Sequence, residues 1–189
     1  MLNLARTIGL IAEHFHQSAS FRRSIGSDES RFAQYYTSMY LIQDSMDSLL
    51  SHRKRGFSDD SLDAYIELWG ILQALIIQQD SIAELYEAVS MKPLETKELE
   101  AWRKLRELRN TLGGHPSKKD RPKTQPLARS FLGRKFGGYD ALSYESWRAP
   151  GKVTYPSVNF GGLIDDYVDE VIPLVEQIYA TVLSRSTSD

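Results

Sequence analysis

Residues 65–77 have the sequence YIELWGILQALII, which is apolar on nearly every side when wound as a helix. A helix of this kind is typical of the buried centre of a helical protein. The cap-forming residues Ser58-Asp59-Asp60 precede it, and the apolar pattern continues to Val89. We therefore predict one long central helix over 58–89, against which the remaining elements pack.

Four further segments carry the apolar spacing of amphipathic helices. They are predicted over residues 1–19, 30–52, 95–112 and 163–184. Asp28 or Ser30 is expected to cap the second helix, and Gly56 to end it with a left-handed conformation. Pro173 lies inside the last helix and predicts a kink or a restart. The apolar positions of the first two helices are Leu4, Ile8, Ile11 and Phe15, then Phe32, Tyr36, Met39, Tyr40, Met46, Leu49 and Leu50.

The segment from 116 to 161, between the last two helices, has a different character. Residues 118–135 are basic and loop-like, while 141–147 and 152–158 have the pattern of two short strands. The turn residues Arg148-Ala149-Pro150-Gly151 join these strands into a predicted hairpin. The predicted fold is therefore a single all-α domain, a bundle of about five helices with a hairpin and basic loop inserted before the last.

The bulk composition excludes several classes of function. The 189 residues include no cysteine, which excludes disulfides, thiolate zinc sites and cysteine nucleophiles, and fits a reducing cytoplasm. The net charge is -2, so any nucleic-acid surface must be a local basic patch. The longest apolar stretch, Leu68 to Ile77, is shorter than the roughly 20 residues that span a bilayer. Since residues 1–12 also lack a signal-peptide pattern, we expect a cytoplasmic protein without a membrane partner.

The residues that point most clearly to a catalytic function lie in one stretch, Arg109-Asn110-Thr111-Leu112-Gly113-Gly114-His115-Pro116. On a helical wheel Arg109 falls between Trp102 and Leu105, inside the apolar face of the fourth predicted helix. An unpaired guanidinium held there would cost several kcal/mol, roughly, so it needs an acceptor. The acceptor is either a carboxylate on a neighbouring helix or the phosphate of a ligand.

His115 also has two interpretations. Gly113 and Gly114 are typical of a helix stop, and Pro116 forbids continuation, so His115 can be an ordinary turn residue. Alternatively, the glycines let the backbone fold back, so that the imidazole approaches the Arg109 guanidinium at one end of the bundle.

Arg109-Asn110 followed by His115 resembles the signature of the HEPN superfamily: an arginine, a polar residue, a short spacer and a histidine. The all-helical layout with a long central helix is similar too, whereas the hairpin insertion is not part of the common core. One toxin branch has a tyrosine two residues after the histidine. That ending is not matched here, because His115-Pro116 is followed by Ser117 and Lys118.

The resemblance implies a homodimer in which two such motifs face each other across a cleft. Many HEPN proteins are metal-independent endoribonucleases, often in toxin–antitoxin or phage-defence systems, and others only bind. For this chain it implies RNA or a nucleotide as ligand, and an antitoxin or regulatory protein as a further partner.

The chemistry of RNA cleavage is consistent with these residue types. Attack by a 2′-hydroxyl needs a base, an acid and positive charge on the phosphorane. Imidazole suits the proton transfers near neutral pH, and the arginine fork matches phosphate oxygens. One chain supplies one such histidine, while a two-fold dimer supplies two. We expect Arg109 and His115 to be catalytic and to need neither a metal nor another cofactor.

Supporting residues are expected on the central helix, where Gln78-Gln79-Asp80 interrupts the apolar pattern. Gln79 aligns with the apolar face and should point inward, where an amide needs partners. Asn110, Gln79 and Asp80 are the supporting candidates. Either they form a polar network between helices, or Asp80 pairs with Arg109 or orients His115.

The segment after the motif is strongly basic. Such a run is usually solvated surface, but beside a phosphate site it can steer RNA. The candidate RNA-binding residues are Lys118, Lys119, Arg121 and Lys123.

Three functions remain open from the sequence. The first is a HEPN-type endoribonuclease. The second is an inactive HEPN-like module that binds nucleotide, RNA or a regulatory protein. The third is a helical interaction protein in which the motif only ends a helix.

Overall fold

The computed structural model describes residues 1–114, 128–148 and 151–186. The helices in these residues are α1 Leu2–Gln17, α2 Ala19–Gly26, α3 Glu29–Arg55, α4 Ser61–Ser90, α5 Glu100–Arg109 and α6 Phe160–Ser186, and a π-helical turn, Asn110–Gly114, continues α5. The strands are β1 Ala128–Phe131, β2 Leu142–Ser143, β3 Glu145–Arg148, β4 Lys152–Thr154 and β5 Ser157–Val158. No helix in the described part of the chain is long and apolar enough to cross a membrane.

The helical architecture with strands between the last two helices is confirmed. α3 and α4 form a long antiparallel pair, because Gln34 bonds to Glu84 near one end and His52 to Glu67 near the other. α6 packs against α1, α2, α4 and α5, and one continuous core joins all six helices.

The caps that start α3 and α4 follow the sequence closely. Asp28 Oδ1 accepts hydrogen bonds from the Ser30 and Arg31 amides at 2.9 and 3.1 Å, which starts α3. Asp60 does the same at the start of α4. Gly56 ends α3 with φ of +82°, a conformation that favours glycine.

The helix starts near residues 19 and 95 differ from the prediction. The first helix stops at Gln17, and Ser18 caps an additional helix, α2, with its hydroxyl accepting from the Phe21 amide at 3.2 Å. α5 begins at Glu100 rather than at residue 95, because its capping carboxylate comes from Glu170 of α6 and not from a local side chain. Sequence spacing carries no signal for a cap supplied from another helix.

Several residues predicted to be buried are exposed. Phe32, Tyr36 and Tyr40 lie on an outer face of α3, while Tyr35, Met39, Ile42, Met46 and Leu49 fill its core face. On α4, Ile66 is 65% exposed and Trp69 45% exposed, so residues 65–77 are not buried on all sides. A long apolar stretch of sequence does not indicate which faces of the resulting helix will be covered by other helices.

The predicted hairpin is present as β3 and β4, which pair antiparallel with Arg148 opposite Lys152. Each predicted strand is split in two, since β2 pairs with β5 separately. β1 also pairs with β3, although its residues fall in the part predicted to be a basic loop.

α6 starts at Phe160, three residues before the predicted start, because the Asn159 side chain accepts from the Gly162 amide at 2.8 Å. The helix runs on through Pro173 without a restart.

Candidate functional site

The end of α5 is held in place by packing and by a cap from α6. The apolar face predicted for this helix is buried in full: Ala101, Trp102, Leu105, Leu108 and Leu112. At its other end the Glu170 carboxylate accepts from the Ala101 amide at 2.8 Å and from the Trp102 amide at 3.0 Å. Arg109, the last α-helical residue, is therefore carried on a rigid element.

The motif continues as the π-helical turn Asn110–Gly114. Trp69 of α4 stabilises this turn, because its indole Nε1 donates to the Leu112 carbonyl at 3.3 Å. A Cβ atom on Gly113 would lie 3.4 Å from the same indole ring, so the ring packs directly against the glycine backbone. Single π-helical turns are rare and recur at functional sites.

Arg109 is half-buried, and its guanidinium donates to two side-chain amide oxygens of the described residues. One guanidinium nitrogen donates to Asn110 Oδ1 at 3.1 Å, and the other donates to Gln73 Oε1 of α4 at 3.1 Å. Among residues 1–114, 128–148 and 151–186 no carboxylate forms an ion pair with it. The salt bridge expected on the simpler interpretation is therefore not found there, and the positive charge of Arg109 is not neutralised by its described neighbours.

The supporting residues are placed separately. Asn110 contacts Arg109, as the motif predicts. Asp80 is exposed and forms its ion pair with Arg106, whose guanidinium also lies 5.9 Å from the centre of the Trp102 ring. Within the described residues, then, Asp80 is engaged one turn away from Arg109.

Gln79 points inward as predicted and is fully buried. Its side-chain nitrogen donates to the Trp102 carbonyl at 3.1 Å, which links α4 to α5. The Gln79 amide oxygen and both side-chain atoms of Gln78 have no hydrogen-bond partner among the described residues. Among the described residues, therefore, the predicted polar network is reduced to one hydrogen bond between α4 and α5.

The remaining candidates lie outside the described residues. They are His115 and the basic residues Lys118, Lys119, Arg121 and Lys123.

Sequence reasoning missed the α4 residues that surround the motif. The apolar pattern predicts that Gln73 and Trp69 belong to a buried helix, yet both face the end of α5. They belong to a row along α4, together with Leu62 and Ile66, which are 55% and 65% exposed. We call Leu62, Ile66 and Trp69 the α4 stripe. The spacing of four and three residues is visible in the sequence, but it is equally typical of a core face.

A second polar cluster connects the strand insertion to the helices. His52 Nδ1 lies 2.8 Å from the Tyr139 hydroxyl, and its Nε2 lies 3.3 Å from a Glu67 carboxylate oxygen. Hydrogen bonding from the Ser58 amide, followed by contact with His52 and Arg55, lowers the pKa of Glu67. Burial raises the pKa of Tyr139 to about 12. Because His52, Glu67 and Tyr139 all have partners, the cluster is best explained as a set of contacts that stabilise the packing of the strand insertion on the helices.

No group of three or more histidine, aspartate or glutamate side chains within the described part of the chain is arranged to hold a metal ion. The chain matches no family model, no curated protein and no solved structure.

Proposed function

We propose that this protein is a metal-independent endoribonuclease of the HEPN type, with Arg109 binding the scissile phosphate and His115 transferring protons. The observation that carries the proposal is the environment of Arg109. Its guanidinium sits at a helix end, bound by two amide oxygens and by no carboxylate among the described residues. Such a group keeps its full charge and can exchange neutral partners for phosphate oxygens, which arginine binds at two points.

The contacts at both ends of α5 would keep Arg109 in a fixed position, as a catalytic residue requires. Glu170 caps the start of α5, and Trp69 supports the turn at its end. A catalytic group carried by a packed helix stays positioned without reorganisation during the reaction. His115 follows this turn directly in the chain, so both residue types of the motif belong to one end of α5.

A two-fold dimer would complete the site. The reaction needs one proton acceptor and one proton donor, and each chain brings one motif histidine. The α4 stripe is an apolar surface that reaches the motif, because Trp69 contacts Leu112 and Gly113. In the proposed dimer the stripe packs against its copy in a second chain, which brings the two motifs together. Association with a toxin–antitoxin or defence system belongs to the same proposal.

The test is cleavage of RNA by the purified protein in excess chelator. We expect products with a 2′,3′-cyclic phosphate and a 5′-hydroxyl, and we expect Arg109→Ala and His115→Ala to abolish cleavage while remaining folded. The matched control is Arg103→Ala, an exposed arginine on the same helix that should cleave at the parent rate.

Three outcomes would overturn the assignment. Cleavage that requires magnesium would exclude the mechanism. Cleavage by His115→Ala at the parent rate would exclude the histidine. RNA binding without any cleavage, lost in Arg109→Ala, would instead establish the binding-only module.

A further inference from the structure

A cavity of about 140 Å³ lies between α1 and α3. Phe15 and His16 line it from α1, and Tyr35, Tyr36, Tyr40 and Gln43 line it from α3. Ala12 and Met39 complete the lining, so four of the eight lining residues are phenylalanine or tyrosine. None of the described residues that line the cavity carries a carboxylate, ammonium or guanidinium group, so its chemistry suits an uncharged ligand.

The rings are held in fixed positions. Phe15 and Tyr35 stack with their centres 5.1 Å apart and their planes 28° apart. The Tyr36 and Tyr40 rings lie 4.8 Å apart, and their hydroxyls are joined by a hydrogen bond of 3.1 Å. Phe32 stacks on Tyr36, with ring centres 5.7 Å apart and planes 22° apart. Flat aromatic walls of this kind favour a flat ligand, because stacking adds to the burial of apolar area.

One polar side chain in the wall is available to a ligand. The half-buried amide of Gln43 can donate and accept, and it forms no hydrogen bond with another described residue. The Tyr35 hydroxyl also has no partner among the described residues, but it has almost no accessible surface, so a ligand in the cavity cannot reach it.

The volume selects the size of the ligand. A cavity of about 150 Å³ holds one benzene ring. A ligand for this cavity is therefore one planar six-membered ring, uncharged, with hydrogen-bond donors and acceptors at its edge.

We propose that the cavity between α1 and α3 binds a pyrimidine base. The base stacks among the tyrosines and pairs its edge with the Gln43 amide. In uracil the N3 imino group donates to the amide oxygen while O4 accepts from the amide nitrogen, and in cytosine the two directions are reversed. The base belongs either to an RNA strand or to a free nucleoside. This proposal does not depend on cleavage of RNA.

The experiment measures binding to the full chain by titration calorimetry. The ligands are uridine, cytidine, adenosine and a 2′-O-methyl oligouridylate, which cannot be cleaved through its 2′-oxygen. We expect saturable binding of both pyrimidine nucleosides and weaker binding of adenosine, whose two fused rings exceed the cavity. If the oligouridylate binds more tightly than uridine, the natural ligand is a base within an RNA strand. If the two bind with equal affinity, the natural ligand is the free nucleoside.

Two conservative variants isolate the polar groups. Gln43→Met keeps the length of the side chain without its amide, and Tyr35→Phe keeps the ring without its hydroxyl. Gln43→Met removes both hydrogen bonds to the base, so we expect it to weaken uridine binding about 100-fold, the loss that corresponds to two hydrogen bonds of about 1.4 kcal/mol each. Tyr35→Phe removes a hydroxyl that the cavity does not reach, so it should bind uridine like the parent. Neither change removes an apolar contact, so both variants should unfold at or above the parent temperature. Tyr155→Ala, an exposed tyrosine in the strand insertion, is the control and should bind like the parent.

Three results would overturn the proposal. They are the absence of pyrimidine binding, equal affinity for adenosine and uridine, and parent affinity in Gln43→Met.

Discussion

The partner that an arginine takes determines what it can do. Arg109 binds Gln73 and Asn110, whereas Arg106, one turn earlier, binds the carboxylate of Asp80. The charge of Arg106 is offset, and that of Arg109 is not offset by any described residue. This difference, which no wheel projection predicts, makes Arg109 the better candidate for binding phosphate.

Arg109→Lys should separate charge from geometry. Lysine keeps the positive charge but replaces the planar fork by a single ammonium, so two-point contact with a phosphate is lost. We expect cleavage to fall by about 100-fold, as when one donor to a transition-state charge is removed. Single-turnover cleavage rates measure this, with Arg103→Lys as the control. Parent rates in Arg109→Lys would mean that only charge matters at this position.

A second residue-scale prediction concerns the ion pair between Arg53 and Asp165. Its two nitrogen–oxygen distances are 2.5 and 2.6 Å, and it joins the end of α3 to α6. The hydrogen bond from Arg53 lowers the pKa of Asp165 from its ordinary value of 3.8. Because the folded pKa is the lower one, the pair stabilises the protein above that ordinary value, and this contribution is lost as the pH falls through the folded pKa.

Asp165→Asn should therefore lower the free energy of unfolding at neutral pH and not at low pH. The side chains are 34% and 57% exposed, so solvent screening limits the loss to about 0.5–1 kcal/mol. Denaturant unfolding at neutral pH and at about pH 2.5 measures the difference, with exposed Asp169→Asn as the control. A deficit that is the same at both pH values would exclude the ion pair as its cause.

At the scale of the element, α5 depends on a cap from α6. Glu170→Ala removes the carboxylate that accepts from the Ala101 and Trp102 amides. We expect a loss of about 1 kcal/mol in stability, as for other helix caps, and faster amide exchange over residues 100–109. Hydrogen exchange and denaturant unfolding measure these effects, and Asp169→Ala is the control. Unchanged exchange in α5 would show that core packing alone holds the helix.

Element boundaries explain most of the differences from the sequence-based prediction. The starts of α3 and α4 were predictable, because Asp28 and Asp60 cap the helices that follow them directly. The start of α5 was not, because Glu170 is 69 residues from Ala101. The strand β1 was missed for the same reason, since it is defined by pairing with β3 and not by an apolar alternation of its own.

At the scale of the whole molecule, the exposed α4 stripe predicts assembly. Ile66→Glu places a charge where two stripes would meet, and Ile66 is too exposed for the change to disturb the core. We expect this variant to be monomeric and to lose cleavage, while the parent is a dimer that buries roughly 1,200 Å² or more in total. Analytical ultracentrifugation at micromolar concentration, combined with the cleavage assay, measures both properties.

Leu2→Glu is the control for this experiment, because Leu2 is an even more exposed apolar residue, on α1. It should remain dimeric and active. A parent protein that is monomeric and active in proportion to its concentration would contradict the composite site. A dimeric Ile66→Glu would place the interface on another face.

The sequence alone determined the positions of α1, α3, α4, α5 and α6 to within a few residues, the caps that Asp28 and Asp60 supply to α3 and α4, and that Gln79 points inward. These properties depend on residues within a turn or two of each other, and the helical repeat makes them readable from spacing. The tertiary structure alone decided that Gln73 binds Arg109, that Glu170 caps α5, and that Tyr36, Tyr40 and the α4 stripe face outward. Each depends on elements brought together from distant parts of the chain, and an apolar or polar residue type does not specify which element will cover it.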